Sequence, residues 1–399
     1  MNPLPIDPHI VHPIYFWGIF ITCLFLYLNY SGSDNCDKLL SKNSMLPALL
    51  LTLALVVFMG LRPISRYFGD TVNYAFGYRN MPVQPAIFAV DLDKEWLWGF
   101  IQNTCKAAHL TVSTWFLIIA IGYLGFVFVG LRILLGENSW MAMLFFLSAF
   151  STFTFGTNGI RNGCACSMTI LAFAIAANQN VVRLAIGAGV LLLAFGIHRS
   201  ISLPIAAFIA ASFLIKSPKM AIYFWLASIG ISLVAGGVVT SFFAGLGFDD
   251  RMSSYANSTE EANQFSNTGF RWDFLLYSAM PVWLAWYVTK KAETERTIYG
   301  ETMEETETGV MGAGRIADAH SMRVFNILAT TYILANSFWV MVIRASFSNR
   351  FAYLSWFLYP VVIAYGVIRL HIWEDQDKKA GLILFAHAGF TFVMYLLGK

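Results

Sequence analysis

The chain has 399 residues, of which 57% are hydrophobic and 12% charged, and its formal net charge is +3. An ordinary soluble domain carries about 25% charged residues, so this composition excludes that class and predicts a membrane protein. The small net charge favours neither a nucleic-acid partner nor a strongly acidic one.

Twelve apolar segments follow one another, each near the length of about 20 residues that a helix needs to cross a bilayer. Only helices and closed barrels span lipid, which offers no partner for bare backbone groups, and these segments lack strand-like alternation. We therefore predict an all-α, polytopic transmembrane helix bundle that forms a single domain over residues 1–399. The predicted spans are residues 13–30, 46–61, 114–135, 140–157, 163–178, 182–197, 200–215, 220–244, 272–289, 323–343, 351–370 and 380–397.

Three hydrophilic loops interrupt the apolar pattern. The first, residues 62–113, joins spans two and three and contains a predicted amphipathic helix from Glu95 to His109. The second covers residues 245–271. The third, residues 290–322, carries six glutamates between Glu293 and Glu307, which predicts a solvated, disordered segment.

The lysines predict an orientation. If the N-terminus is outside, eight of the eleven lysines lie in inner loops, as the positive-inside rule requires. Both termini and the loops 62–113 and 245–271 are then extracytoplasmic, and the acidic loop 290–322 is cytoplasmic.

The arginines break this rule, because nine of the fifteen fall on the outer side. A guanidinium binds phosphate through a planar, bidentate fork that lysine lacks, so an anion such as a lipid pyrophosphate explains the excess. The alternative is that these arginines snorkel or pair with nearby acids such as Asp249 and Asp273.

The first candidate site follows the second span, where Arg62, Arg66, Asp70 and Tyr74 leave the membrane together. Gly69 permits a sharp turn just before Asp70. Arg66 and Asp70 are four residues apart and would pair on a helix. The functional alternative is an anion-binding arginine beside a carboxylate that accepts a proton or a sugar hydroxyl.

Further candidates lie at the outer ends of later spans. Glu95 stands beside tryptophans, a composition that suits sugar binding or an interfacial aromatic belt. Arg161 lies where a helix begins, and helix N-termini favour anions. His198 and Arg199 suit phosphate binding or base catalysis, although a histidine at a helix end is often structural. Arg344 and Arg350 add positive charge on the same side.

Several motifs are absent from the sequence. It has no G-x-x-x-x-G-K-[ST] loop and no H-E-x-x-H, and its D-x-D string, Asp91 to Asp93, is a weak signal. No Asp or Glu lies in the middle of a predicted span, which argues against an ion-coupled transporter, since such proteins usually carry buried ionisable groups.

The order of these elements resembles the EpsG-like branch of the Wzy-type bacterial polysaccharide polymerases. The similarity rests on Arg62 to Tyr74, Glu95, Ile160 to Asn162, Ile197 to Ser200, and Asn349 to Tyr353. Three positions depart from the family pattern. Gly69-Asp70 lacks an intervening Thr, Asn162 replaces Gln, and Arg199 replaces Lys.

The resemblance implies a membrane glycosyltransferase of the bacterial inner membrane. A growing glycan on undecaprenyl pyrophosphate would be transferred to the terminal sugar hydroxyl of another lipid-linked repeat unit, without a metal or cofactor. Its protein partners would be a flippase and a chain-length regulator. The catalytic candidates are Asp70, His198 and Glu95. The candidates for binding pyrophosphate or glycan are Arg62, Arg66, Tyr74, Arg161, Arg199, Arg344 and Arg350.

Three alternatives stay open. A lipid-linked oligosaccharide flippase would place basic residues deep in its spans. An O-antigen ligase would share the chemistry but use another acceptor. A membrane acyltransferase would carry a buried histidine with an acidic partner on the cytoplasmic side.

Overall fold

The computed structural model describes residues 2–31, 45–84, 95–215, 217–245, 270–299, 317–345 and 348–398. These residues contain no β-strand, which confirms the all-α class. The helices are α1 (Pro8–Ser31), α2 (Met45–Gly60), α3 (Thr71–Asn80), α4 (Trp96–Ala107), α5 (Val112–Leu135), α6 (Ser139–Leu147), α7 (Thr152–Thr157), α8 (Ile160–Ala176), α9 (Val181–Ile197), α10 (Ser202–Ile209), α11 (Pro218–Gly245), α12 (Trp272–Tyr299), α13 (Ala319–Met341), α14 (Ser348–Trp356), α15 (Tyr359–Arg369) and α16 (Gln376–Leu396).

The chain is a multi-pass membrane protein. In the described residues, six helical segments are long and apolar enough to cross a bilayer, and four shorter apolar helices accompany them. Every predicted span overlaps at least one helix, but the count of twelve membrane spans is not confirmed. The six segments are Pro8–Asn29, Val112–Leu147, Pro218–Gly236, Ala319–Met341, Arg350–Arg369 and Gln376–Leu396.

The span predicted at 140–157 is broken between α6 and α7. Polar side chains explain the break, since Thr152 Oγ1 donates to the Phe146 carbonyl at 2.5 Å and competes with helical bonding. The Tyr15 hydroxyl donates to the carbonyl of Leu147 at 2.6 Å. Side-chain hydroxyls thus donate hydrogen bonds to backbone carbonyls that would have no partner in lipid.

Two further boundaries differ from the sequence prediction. The span predicted at 351–370 is divided between α14 and α15, where Pro360 occupies the first turn of α15 and supplies no N–H. Helix α12 continues to Tyr299, so the loop predicted from residue 290 begins within a helix. Residues 300–316 of that loop, most of the loop 245–271, and Asp91 to Asp93 lie outside the described residues.

The chain forms two compact units, Met1–Ile201 with Trp373–Lys399, and Ser202–Ile372. In the first unit α5 packs between α2 and α8, and α9 packs on α8. Helices α1 and α16 are antiparallel neighbours, because the Phe16 ring stacks on Tyr395 and the Tyr27 ring on Phe385. Whether the two units act as one domain in the bilayer stays a prediction.

The first and last described segments of the chain lie at the same end of the first unit. The Leu4 N–H donates to the Leu61 carbonyl at 2.7 Å, which places the N-terminal segment beside the end of α2. The antiparallel pairing of α1 with α16 brings the end of α16 to the same place. Which side of the membrane this end faces stays a prediction.

In the second unit α13 is the central helix, and it contacts α10, α11, α12, α14 and α15. Its Asn336 side chain accepts from Trp225 Nε1 at 2.8 Å and donates to Ser278 Oγ and Ser355 Oγ at 3.2 and 3.0 Å. Buried polar groups are therefore paired across four helices, as a lipid environment requires.

The described residues of the loop 62–113 contain more helix than the sequence predicts. A 3₁₀ turn, Arg66–Phe68, leads into α3, which the sequence analysis does not anticipate. The predicted amphipathic helix is confirmed as α4, which begins directly after Glu95 and buries Trp98 and Cys105.

Candidate functional site

Glu95 lies at the centre of a charged cluster drawn from three segments of the first unit. Its Oε2 is 2.5 Å from Arg161 Nη1 in the first turn of α8. Its Oε1 is hydrogen-bonded to Nδ1 of His198, the residue that follows α9. The three side chains retain 19–25% of their exposure, so the cluster is mostly shielded and still accessible.

The charges around Glu95 determine its protonation. Burial alone would raise the pKa of the Glu95 carboxyl. The hydrogen bond and charge of His198, the charge of Arg161, and a hydrogen bond from the Arg199 backbone outweigh burial, so the pKa lies below its usual range. Glu95 is therefore a carboxylate at neutral pH.

A close approach between α4 and α9 brings Glu95 to His198. Trp96 packs directly against Gly196, where an added Cβ would lie 2.5 Å from Trp96 Cε2. Real side chains do not tolerate that distance. The glycine therefore lets the first residue of α4 lie on the last turn of α9.

The second carboxylate, Asp70, is held by a different contact. Gly69 has φ +57°, which confirms the predicted sharp turn, and the Asp70 N–H donates to Asn158 Oδ1 at 2.8 Å. The Asp70 carboxylate precedes α3 without capping it, and its Oδ1 accepts from Asn73 Nδ2 at 3.1 Å. Asp70 forms no ion pair with another described residue.

Arg66 lies on the turn before Asp70 and does not pair with it. The residues adopt a 3₁₀ turn followed by the left-handed Gly69, so the helical spacing that would bring Arg66 to Asp70 is not formed. The Arg66 side chain is exposed and makes no hydrogen bond or ion pair within the described part of the chain.

Arg62, which the sequence analysis placed among the substrate-binding candidates, is buried, with 1% exposure. It donates to the carbonyls of Met59 and Thr157, each at 2.7 Å, and to Thr71 Oγ1 at 3.0 Å. Burial lowers the pKa of Arg62 to about 9 against a small opposing effect of Tyr74, so the guanidinium stays charged at neutral pH.

The two carboxylate groups are neighbours in the fold. Tyr74 of α3 and Trp98 of α4 make an edge-to-face contact with ring centroids 6.1 Å apart. The junction of α7 and α8 serves both groups, because Asn158 in the turn bonds Asp70 and Arg161 in the first turn of α8 bonds Glu95. The starts of α3, α4 and α8 therefore meet at one end of the first unit.

The other predicted residues are placed as follows. The Arg199 side chain is exposed, beside the cluster. Arg344 and Arg350 belong to the second unit, where both are exposed, and the Arg344 guanidinium lies 5.7 Å from the centre of the Phe270 ring.

The family model of the EpsG family matches residues 45–398. The chain belongs to the EpsG family. This confirms the resemblance inferred from the ordered motifs and supports a glycosyltransferase-like role in membrane polysaccharide biosynthesis. No curated protein and no solved structure matches the chain.

Sequence reasoning missed the residues that hold the site of this EpsG-family chain in place. Asn158 and Gly196 fall within segments singled out for Arg161 and His198, but nothing in the pattern shows their contacts with Asp70 and Trp96. The one sequence feature that could have indicated the contact with Trp96 is the glycine two residues before the candidate histidine. Among the described residues, no group of three His, Cys, Asp or Glu is arranged to hold a metal ion.

Proposed function

We propose that this EpsG-family chain is a polysaccharide polymerase. It transfers a growing glycan from undecaprenyl pyrophosphate to the terminal sugar hydroxyl of another lipid-linked repeat unit at the outer face of the bacterial inner membrane. The lipid-linked oligosaccharide and the bilayer are its partners in this proposal. A flippase and a chain-length regulator stay predicted partners.

One observation carries the proposal: Asp70, Glu95, Arg161 and His198 converge at one end of the first unit. Glycosyl transfer needs a proton acceptor for the attacking hydroxyl and cations for the departing pyrophosphate. The family match gives the class of reaction, and this convergence supplies the groups that the reaction needs.

In the proposed step, the oxygen of the acceptor hydroxyl forms a bond to the anomeric carbon of the donor sugar. The bond from that carbon to the pyrophosphate oxygen breaks, and the lipid pyrophosphate leaves with the electron pair. The hydroxyl proton passes to a protein base. The atoms and charges balance without a metal or a nucleotide.

Asp70 is the base that the geometry supports best. Its carboxylate accepts from Asn73 and forms no ion pair within the described residues, so it retains lone pairs for a sugar hydroxyl. Glu95 is less suited because the Arg161 guanidinium and the His198 ring engage its two oxygens. Glu95 instead orients the His198 ring through Nδ1, which leaves Nε2 for substrate.

Arg66 is the cation that we assign to the departing pyrophosphate. It is exposed on the turn directly before Asp70 and has no protein partner in the described ranges. Arg161 lies at the start of α8, where the helix dipole adds to its charge. Both cations can stabilise negative charge that develops as the bond breaks.

The test uses purified protein in vesicles with a lipid-linked repeat unit, and the products are separated by length. We expect a ladder of glycan lengths that is lost in Asp70→Asn and Arg66→Ala, while the control Arg79→Ala, an exposed arginine on α3, keeps it. A single addition would identify a ligase, and translocation without elongation would identify a flippase. Either result would overturn the proposal that the chain is a polymerase.

A further inference from the structure

Asn158 makes two contacts at the position that precedes α3. Its Oδ1 accepts the Asp70 N–H at 2.8 Å. The same amide lies against Gly69, since an added Cβ on Gly69 would be 2.5 Å from Oδ1 and 2.9 Å from Nδ2. The backbone on both sides of the Gly69–Asp70 peptide is therefore held by one side chain.

The position of Asn158 is itself fixed by the turn between α7 and α8. Its backbone N–H donates to the Thr154 carbonyl at 2.8 Å, and the next N–H, of Gly159, donates to the same carbonyl at 2.9 Å. The preceding Thr157 carbonyl accepts from the buried Arg62 at 2.7 Å. Because these hydrogen bonds fix the turn, the Asn158 side chain can fix the direction of the backbone group that it contacts.

We propose that Asn158 is a positioning residue that aims the Asp70 carboxylate at the acceptor hydroxyl. The inference rests on the proposed function, in which Asp70 accepts the hydroxyl proton. Asn158 contacts the backbone of Asp70 and leaves its carboxylate open. Because Arg161, in the first turn of α8, holds Glu95, the short segment 158–161 contacts both carboxylate residues.

The test compares Asn158→Ala and Asn158→Asp with wild type in the elongation assay on vesicles that hold the lipid-linked repeat unit. For Asn158→Ala we expect kcat to fall about 10- to 100-fold with KM changed little, because a misplaced group slows the chemical step more than it weakens binding. Asn158→Asp keeps an acceptor oxygen and should recover much of kcat. Its added charge favours a protonated neighbour, so the acid limb of its pH–rate profile should move to higher pH.

A second pair of variants separates positioning from folding. Gly69→Ala forces a Cβ against Asn158 at a left-handed φ and should reproduce the fall in kcat. Gly77→Ala on α3, where nothing lies within 4 Å of the added Cβ, should keep wild-type kcat. Melting temperatures measured on all four proteins show whether any loss follows unfolding.

Three outcomes would each overturn either the positioning role or the proposed function. If Asp70→Asn abolishes elongation while Asn158→Ala keeps wild-type kcat, the positioning role is overturned and the proposed function stands. If Asp70→Asn itself elongates at the wild-type rate, the assigned base is wrong and the proposed function fails at that step. A fall in kcat for Asn158→Ala that Asn158→Asp does not recover also overturns the positioning role.

Discussion

The guanidinium of Arg62 donates to the carbonyl oxygen of Thr157 over 2.7 Å, which joins the end of α2 to the turn that carries Asn158. The same nitrogen, Nη2, lies 3.0 Å from Thr71 Oγ1, and that hydroxyl also donates to the Thr157 carbonyl at 2.8 Å. One buried arginine thus connects the end of α2, the start of α3 and the turn that carries Asn158.

The first prediction concerns this buried arginine. Arg62→Ala should lower the free energy of unfolding by about 1 to 3 kcal/mol, because the buried Met59 carbonyl loses its donor whereas the Thr157 carbonyl keeps the Thr71 hydroxyl. The measurement is unfolding of the purified protein in mixed detergent micelles. The control Arg79→Ala removes an exposed arginine and should change stability by less than about 0.5 kcal/mol.

The same pair of variants tests the role that the sequence gives to Arg62. If Arg62→Ala keeps wild-type stability but weakens binding of the lipid-linked repeat unit, Arg62 contacts substrate and the structural role is wrong. Loss of stability with unchanged KM in the folded fraction supports a residue that holds the site together.

The fold was largely accessible from the sequence, and the exceptions have local causes. Long apolar segments identify helices because lipid leaves the backbone no other partner. The break between α6 and α7 could not be predicted from the sequence, because it depends on a hydrogen bond from the Thr152 hydroxyl to the carbonyl of Phe146. Helix α3 was missed because its residues are neither apolar nor clearly periodic.

The residues of the site could be predicted from the sequence, but the contacts between them could not. The spacing of Arg66 and Asp70 suggested a helical pair, and a left-handed Gly69 prevents it. Glu95 and His198 are separated by 103 residues, so no local pattern shows that they bond. Such contacts follow from the packing of α4 on α9, which the sequence leaves undetermined.

The second prediction is that Glu95 and Arg161 are energetically coupled. A double-mutant cycle with Glu95→Gln and Arg161→Gln should give a coupling above about 1 kcal/mol, since the pair is mostly shielded from solvent. The matched control is Lys219 with Glu293, a pair with the same 2.5 Å separation whose side chains are 46% and 50% exposed.

The control pair should show a coupling below about 1 kcal/mol, as exposed ion pairs do. Stability is measured by the same detergent unfolding for both cycles. Equal couplings for the two pairs would mean that the Glu95 cluster is as solvated as the surface, contrary to the burial described above.

The third prediction is a pH dependence set by Glu95. Its pKa is lower in the folded protein than its ordinary value of 4.5, so the unfolded chain binds the proton more readily. The stabilisation is therefore fully present above that value and is lost as pH falls through the lower, folded pKa. Glu95→Gln should lower the melting temperature clearly at about pH 7 and by less at about pH 4.

Glu374→Gln serves as the reference for this experiment, because Glu374 is an exposed carboxylate with no ion pair in the described part of the chain. Its effect on the melting temperature should be small at both pH values. A Glu95→Gln effect that grows as the pH falls would contradict the direction of the shift.

The fourth prediction concerns the approach of α4 to α9. Gly196→Ala places a Cβ 2.5 Å from Trp96 Cε2, so the tryptophan must move and Glu95 with it. We expect a loss of about 1 to 3 kcal/mol of stability from overpacking, together with slower elongation because Glu95 no longer meets both Arg161 and His198. Gly189→Ala on the same helix, with nothing within 4 Å, should be neutral or stabilising by up to about 1 kcal/mol.

A compensating change shows whether Trp96 is the cause. In the Gly196→Ala background, Trp96→Leu relieves the overlap and should restore part of both stability and elongation, whereas alone it should destabilise the protein by leaving a cavity. If Gly196→Ala and Gly189→Ala behave alike, the contact between Trp96 and Gly196 does not determine where Glu95 lies. Recovery in the double variant would instead establish that packing at this glycine sets the geometry of the charged cluster.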